Sequence, residues 1–257
     1  MKKLTPAELF YKKALELLNT THIPFMIAGT YAFTEYTGIR RPTKDLDIFC
    51  KTSDYPKIIN FFAKEGYEVE ITDDRWLAKI YKQKYYVDVI YGTIGNVWRV
   101  DDSWFEHTLK KTMFRDVTVK LVPPEEFVWT KLFMQDRNKY EAADVNHIII
   151  KMRKNFDWKR LLFRMETHWE LLFAQILSFR FVYPSERYII PGWLLTELMN
   201  RVQEQLSLPL PQGKICRGAI ISRFQYLVDY KKWGFSTEVE DVSIDYKTQH
   251  SIQHKQK

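Results

Sequence analysis

Asp45 and Asp47, in the run RPTKDLDIFC (41–50), are two carboxylates separated by one leucine in an otherwise apolar, β-prone stretch. On a strand, side chains at i and i+2 leave the same face, so the two acids point together while Leu46 enters the core. Carboxylates held that close repel, and a hard divalent cation such as Mg²⁺, bound by carboxylate oxygens together with substrate phosphates, suits the donor set. Asp88, in YYVDVIYG, is a third acid on an apolar strand, where charge is costly unless paired or ligating. Three carboxylates on neighbouring strands can hold two Mg²⁺ ions close together, which activates an attacking oxygen and stabilises a leaving phosphate.

Upstream lies FMIAGTYAF, read as an apolar strand over 24–28, a turn at Gly29 and Thr30, and the first turns of a helix over 31–36. Small residues followed by a helix N-terminus offer backbone N–H groups to a triphosphate. Arg40, Arg41 and Lys44, immediately before the acid pair, add positive charge for the same anion.

The run AGTYAFTEYTGIRRPTKDLDIF resembles the signature of the DNA polymerase β-type nucleotidyltransferase superfamily: a Gly-Gly or Gly-Ser turn, a helix, Asp-x-Asp, and a third Asp on a later strand. It is most similar to the bacterial abortive-infection toxin-like branch. A second block, LVPPEEFVWTKLFMQDRNKYEAADV, resembles the family segment in which a proline-led helix carries a lysine, then an arginine and an aspartate, matched here by Lys131, Arg137 and Asp144. The resemblance covers roughly 23–150. Two positions depart from it: Thr30 replaces the usual Gly or Ser, and His147 stands where relatives often carry a second acid.

The resemblance implies that Asp45 and Asp47 ligate two Mg²⁺ or Mn²⁺ ions and that Asp88 holds the catalytic one near an acceptor hydroxyl. It further implies that Gly29 and Thr30 cradle the β- and γ-phosphates of an NTP, with Lys131 on phosphate. An acceptor oxygen would attack the α-phosphorus as pyrophosphate leaves, catalysis being mostly positioning and charge neutralisation.

The elements that must carry these residues read as α+β: a small mixed β-sheet core with packed helices, followed by a mainly α-helical C-terminal region. Thr5-Pro6-Ala7-Glu8 predicts a helix start running to about residue 18. Further strands are expected over 45–50, 67–71, 76–81 and 85–90, with a helix from TSDYPKIINFFAKEG stopped by Gly66. From Pro124 to about Tyr230 helical spacing dominates, so the expected division is a nucleotidyltransferase core over 1–122, a helical domain over 123–235 and a disordered polar tail over 236–257.

Composition narrows the classes. With 257 residues, 46% hydrophobic and 16% aromatic, the chain can build a sizeable core, and its net charge of +7 favours anionic partners without choosing among them. Two cysteines with no CxxC spacing predict neither a disulfide framework nor a zinc cluster, which fits a reducing cytoplasm. The N-terminal stretch reads as an amphipathic helix rather than a signal peptide, and no run is long enough to span a membrane. The six histidines show no metal spacing, and neither GxSxG nor a Walker-type loop occurs.

The expected activity is transfer of an NMP from an NTP to a hydroxyl. An RNA acceptor, tRNA-like, is favoured by the basic, aromatic-bearing stretch KMRKNFDWKRLLFRM (151–165), read as a helix able to follow a phosphate backbone, and by the toxin-like resemblance, which also implies an antitoxin partner. A small hydroxylated acceptor, such as an aminoglycoside or lincosamide antibiotic, fits the same core. A nucleotide- or nucleic-acid-binding module without turnover is the alternative from another class, although a pure binder gains nothing from clustered carboxylates.

Overall fold

The structure is a computed structural model that describes residues 3–93 and 95–237. The expected tail over 236–257 lies outside the described residues apart from Ser236 and Thr237. Among the described residues no helix is long and apolar enough to cross a membrane.

The chain opens with α1 (Pro6–Thr20), whose first turn is closed reciprocally: Thr5 Oγ1 accepts from the Glu8 amide and Glu8 Oε2 accepts from the Thr5 amide at 2.7 Å. Its buried stripe, Phe10, Tyr11, Ala14, Leu15 and Leu18, follows the 3.6-residue period and packs on the sheet. A two-residue strand β1 (Met26–Ile27) leads directly into α2 (Gly29–Thr37), so Gly29 and Thr30 are the first residues of the helix rather than a separate turn. Then follow β2 (Asp45–Phe49), α3 (Tyr55–Lys64), β3 (Glu68–Asp73), β4 (Leu77–Lys82) and β5 (Tyr85–Ile90).

After α4 (Asp102–Glu106), a hairpin of β6 (Leu109–Met113) and β7 (Val117–Leu121) completes a mixed seven-stranded sheet of order β3-β4-β5-β2-β1-β7-β6. The sequence carried no turn signal for this hairpin because its loop places Phe114 and Arg115 at φ 47° and 85°, a conformation usually given to Gly or Asn. β2 runs parallel to β5 and antiparallel to β1, so its acids lie in the middle of the sheet.

Beyond the sheet come α5 (Pro124–Leu132), a short hairpin of β8 (Gln135–Asp136) and β9 (Lys139–Tyr140), then α6 (Ala142–Met152), α7 (Trp158–Arg164), α8 (Trp169–Val182), α9 (Gly192–Gln205) and α10 (Leu227–Lys231). The β8–β9 hairpin separates Lys131 from Asp144, which were read as lying on one helical segment and in fact belong to α5 and α6. One cluster of buried residues runs from Phe10 to Leu198 across position 122.

The helix α5 is buried almost throughout, including two acids in its first turn. Their negative charge is favourable at a helix N-terminus, but burial demands further partners. Glu125 Oε1 accepts from the Asp157 amide at 2.7 Å, and Glu126 Oε1 lies 2.5 Å from Arg160 Nη2 and 2.9 Å from Arg164 Nε. This corrects the reading of 151–165 as one basic helix. The stretch is broken between α6 and α7, and two of its cations turn inward to neutralise Glu126 instead of facing a phosphate backbone.

Removing one member of a buried ion cluster strands the remaining charge, at a cost of about 3–5 kcal/mol. Glu126→Ala is therefore expected to lose about that much stability in urea unfolding, with Arg160 left without its ion-pair partner and Arg164 ion-paired with Asp101 alone.

Candidate active site

Along β2 the buried Leu46 and Ile48 alternate with the partly exposed Asp45 and Asp47, the i and i+2 geometry expected of the strand. In the parallel ladder with β5, Asp47 pairs with Asp88 and Asp45 with Tyr86, and β4 sets Lys79 opposite Asp88. Paired residues on adjacent strands share a face, so Lys79, Asp88 and Asp47 form one row across three strands. One carboxylate oxygen from each of Asp45, Asp47 and Asp88 lies within 4.8 Å of the others.

The row ends at the start of α2. The Ala28 amide donates to the Asp47 carbonyl at 2.9 Å, and Gly29 follows with φ +53°. A Cβ on Gly29 would lie 1.7 Å from Asp47 Oδ2, so both the backbone angle and the carboxylate require glycine here. Ala28 gives α2 no side-chain cap, which leaves the first-turn N–H groups without a side-chain partner beside the acids.

The electrostatics follow from crowding. Burial, then repulsion from Asp45 and Asp88, pushes Asp47 up to about 7, against the opposing pull of Lys131 and Lys79. Asp88 is also raised, chiefly by burial, with Lys79 acting against the shift from a hydrogen bond of 2.5 Å. Asp45 Oδ1 accepts from the Thr43 hydroxyl at 2.5 Å. Burial and these three acids together push the Tyr86 phenol up to about 12.

The other residues singled out from the sequence fall in different places. Lys131 Nζ lies 3.1 Å from Glu141 and 3.8 Å from Asp144, and Arg41 Nη2 lies 2.5 Å from the other Asp144 oxygen, its guanidinium 4.5 Å from the Phe33 ring centroid. Asp144, buried, therefore gathers the two cations. Lys44 and Arg40 are exposed, and Lys44 is anchored through its carbonyl by the Tyr11 hydroxyl. Arg137 is exposed in the β8–β9 turn and joins no ion pair among the described residues.

A cavity of about 280 Å³ opens beside Gly29 and Asp47; its lining is mostly apolar and includes the rings of Phe49, Trp98, Phe127, Phe133 and Phe224. Its far wall, 219–224, is tied to the β8–β9 hairpin by the Gln135 amide donating to the Ile221 carbonyl at 3.1 Å and by a Ser222–Asp136 hydrogen bond. Sequence reasoning missed this wall, Glu141 and Lys79. Only Lys79 carried a signal, since a charge inside the apolar run LAKIY (77–81) obeys the rule that exposed Asp88.

The donor set fits a divalent cation: three hard oxygens converge, and burial together with repulsion from Asp45 and Asp88 disfavours the charge on Asp47, which a bound cation would offset. Two outcomes follow. Because Asp47 binds its proton more tightly folded than at the ordinary value of 3.8, the metal-free protein holds more protons than the unfolded chain between about 4 and 7, and stability from this group falls as pH rises through that window. Asp47→Asn should raise the metal-free Tm by about 3–6 °C at pH 8, a gain that shrinks on acidification below 7. Gly29→Ala should cost about 2 kcal/mol or more from strain and overlap, and in a double-mutant cycle Asp47→Ala should recover part of that loss.

No family model and no curated protein matches the chain. Among solved structures it is similar to an antigenic nucleotidyltransferase-like protein from Paracoccidioides brasiliensis (16% identity, 71% of this chain and 91% of that one, TM-score 0.46). It is also similar to ANT(2″)-Ia in complex with adenylyl-2″-tobramycin (16% identity, 77% and 99%, TM-score 0.41) and to a lincomycin-bound lincosamide antibiotic adenylyltransferase (15% identity, 57% and 98%, TM-score 0.39).

Proposed function

We propose that this chain is a divalent-metal-dependent nucleotidyltransferase that moves an NMP from an NTP to an acceptor hydroxyl. The observation that carries the reading is the convergence of Asp45, Asp47 and Asp88 within 4.8 Å, against a glycine whose missing Cβ leaves room for Asp47. Asp45, Asp47 and Asp88 would hold the Mg²⁺ or Mn²⁺, which when bound supplies charge neutralisation at the attacking and leaving oxygens.

The chain's own residues bind and orient. The free amides at Gly29 and Thr30, with the dipole of α2, receive the triphosphate. Lys44 and Arg40 add charge from the loop before β2, and Arg41 and Lys131 do so from positions fixed by Asp144. The acceptor oxygen forms its bond to the α-phosphorus as the bond to the bridging oxygen breaks and pyrophosphate departs, and the hydroxyl proton passes to the Asp88 carboxylate. Arg137, exposed at the hairpin tip, is left for contacts outside the core of the site.

Two acceptors divide the reading. An RNA end, with the toxin activity and antitoxin partner it would bring, is supported by the net charge of +7 and by exposed cations near the acids. A small hydroxylated molecule is supported by the mostly apolar, ring-bearing cavity beside Asp47 and by the inward turn of Arg160 and Arg164, which leaves less basic surface for a polyanion. The cavity tips the balance toward the small acceptor.

Incubation with all four labelled NTPs, Mg²⁺, total RNA and a panel of hydroxylated small molecules should yield label on one acceptor class. Asp45→Asn and Asp88→Asn should each reduce incorporation by about a hundredfold or more. Incorporation unchanged in both variants would rule out the triad as the catalytic centre, and no incorporation by the wild type onto any acceptor would leave only the binding-module alternative. Label confined to RNA, with affinity falling steeply in salt, would overturn the small-molecule assignment.

A further inference from the structure

Lys79 is held at the carboxylate cluster from two sides. Its Nζ lies 2.5 Å from Asp88 Oδ1 and 4.3 Å from the ring centroid of Tyr86, the residue paired with Asp45. The Lys79 and Asp88 side chains are only 17% and 13% exposed, so this is a shielded pair rather than a solvated surface bridge. Among the ion pairs of the described residues, Lys79 supplies the one that reaches any of the three acids; Lys131 and Arg41 are bound to Asp144 instead.

A divalent cation approaching Asp88 would meet the ammonium at close range, and like charges in a shielded site repel strongly. Among the described residues no cation forms an ion pair with Asp45 or Asp47. We propose that Lys79 stands in for one of the two metal ions: in the nucleotide-free protein Asp45 and Asp47 take a single divalent cation, and Asp88 joins the metal set only when its pair with Lys79 parts.

The inference rests on the metal-binding part of the nucleotidyltransferase reading and deepens it. A triphosphate, strongly anionic, offers the ammonium another partner and so ties release of Asp88 to arrival of substrate. Lys79 is thus a positioning residue, acting through Asp88. The two-ion site expected from the sequence becomes a site that is filled in sequence.

The test is a Mn²⁺ titration of the full chain without nucleotide, with free Mn²⁺ read by electron paramagnetic resonance. The wild type should bind one ion per chain, Lys79→Met two, and the charge-preserving Lys79→Arg one. Asp45→Asn should lose the wild-type ion, whereas Asp88→Asn should keep it with less than a threefold change in affinity. Two ions on the wild type, one on a folded Lys79→Met, no ion on either, or a tenfold loss of affinity in Asp88→Asn would each overturn the proposal. Should Lys79→Met fail to fold, Asp88→Asn still decides. The labelled-NTP assay fails separately: a chain that transfers nucleotide yet binds two ions refutes only the role of Lys79, and one that binds a single ion without transfer refutes only the transferase reading.

Discussion

The parallel pairing of β2 with β5 is the constraint on which the site depends. Asp47 stands opposite Asp88 in that ladder, Lys79 extends the row through β4, and the amide of Ala28, between β1 and α2, closes it. Because side chains alternate faces, a slip of one residue between β2 and β5 would bring Val87 or Val89 opposite Asp47 and turn Asp88 to the other face. The buried Leu46, Ile48, Val87 and Val89 forbid that slip, so the packing of the opposite face fixes the geometry of the acids.

The protein buries acids in two places and treats them differently. Glu126 is met at its Oε1 by two guanidinium groups from α7, which offset its charge and fasten the helical region to α5. The triad has three carboxylates and one ammonium in contact, which leaves an excess of negative charge facing the first turn of α2. The first arrangement is closed and structural. The second is open toward a cation and toward an anion that brings its own cation, which is the electrostatic setting a metal-bound nucleotide requires.

The cavity beside the triad joins parts of the chain far apart in sequence. Its sheet side comes from Gly29, Asp47 and Phe49, and its opposite side from 219–224, carried back after α6 to α9 and fastened to β8–β9. The helical region therefore supplies a wall of the candidate acceptor site as well as bulk, and residues of that wall are where acceptor selectivity would be set.

The amino-acid sequence by itself determined the chemistry and most of the core's elements. Two acids at i and i+2 on a strand, a third acid on an apolar strand and a glycine before a helix are local patterns whose physics does not wait for the fold. Tertiary structure decided the charge partners. Lys79 was legible in principle, by the same isolated-charge rule that marked Asp88, but its contact with Asp88 depends on register. Arg160 and Arg164 looked like a solvated basic face because a helical pattern cannot say which neighbour lies opposite, and only the docking of α7 on α5 turned them inward. Residues 219–224 carried no signal at all, since a contact such as Ser222–Asp136, 86 residues apart, leaves no local periodicity. What a segment is made of sets its own conformation; what its charges meet is set by the packing of the whole chain.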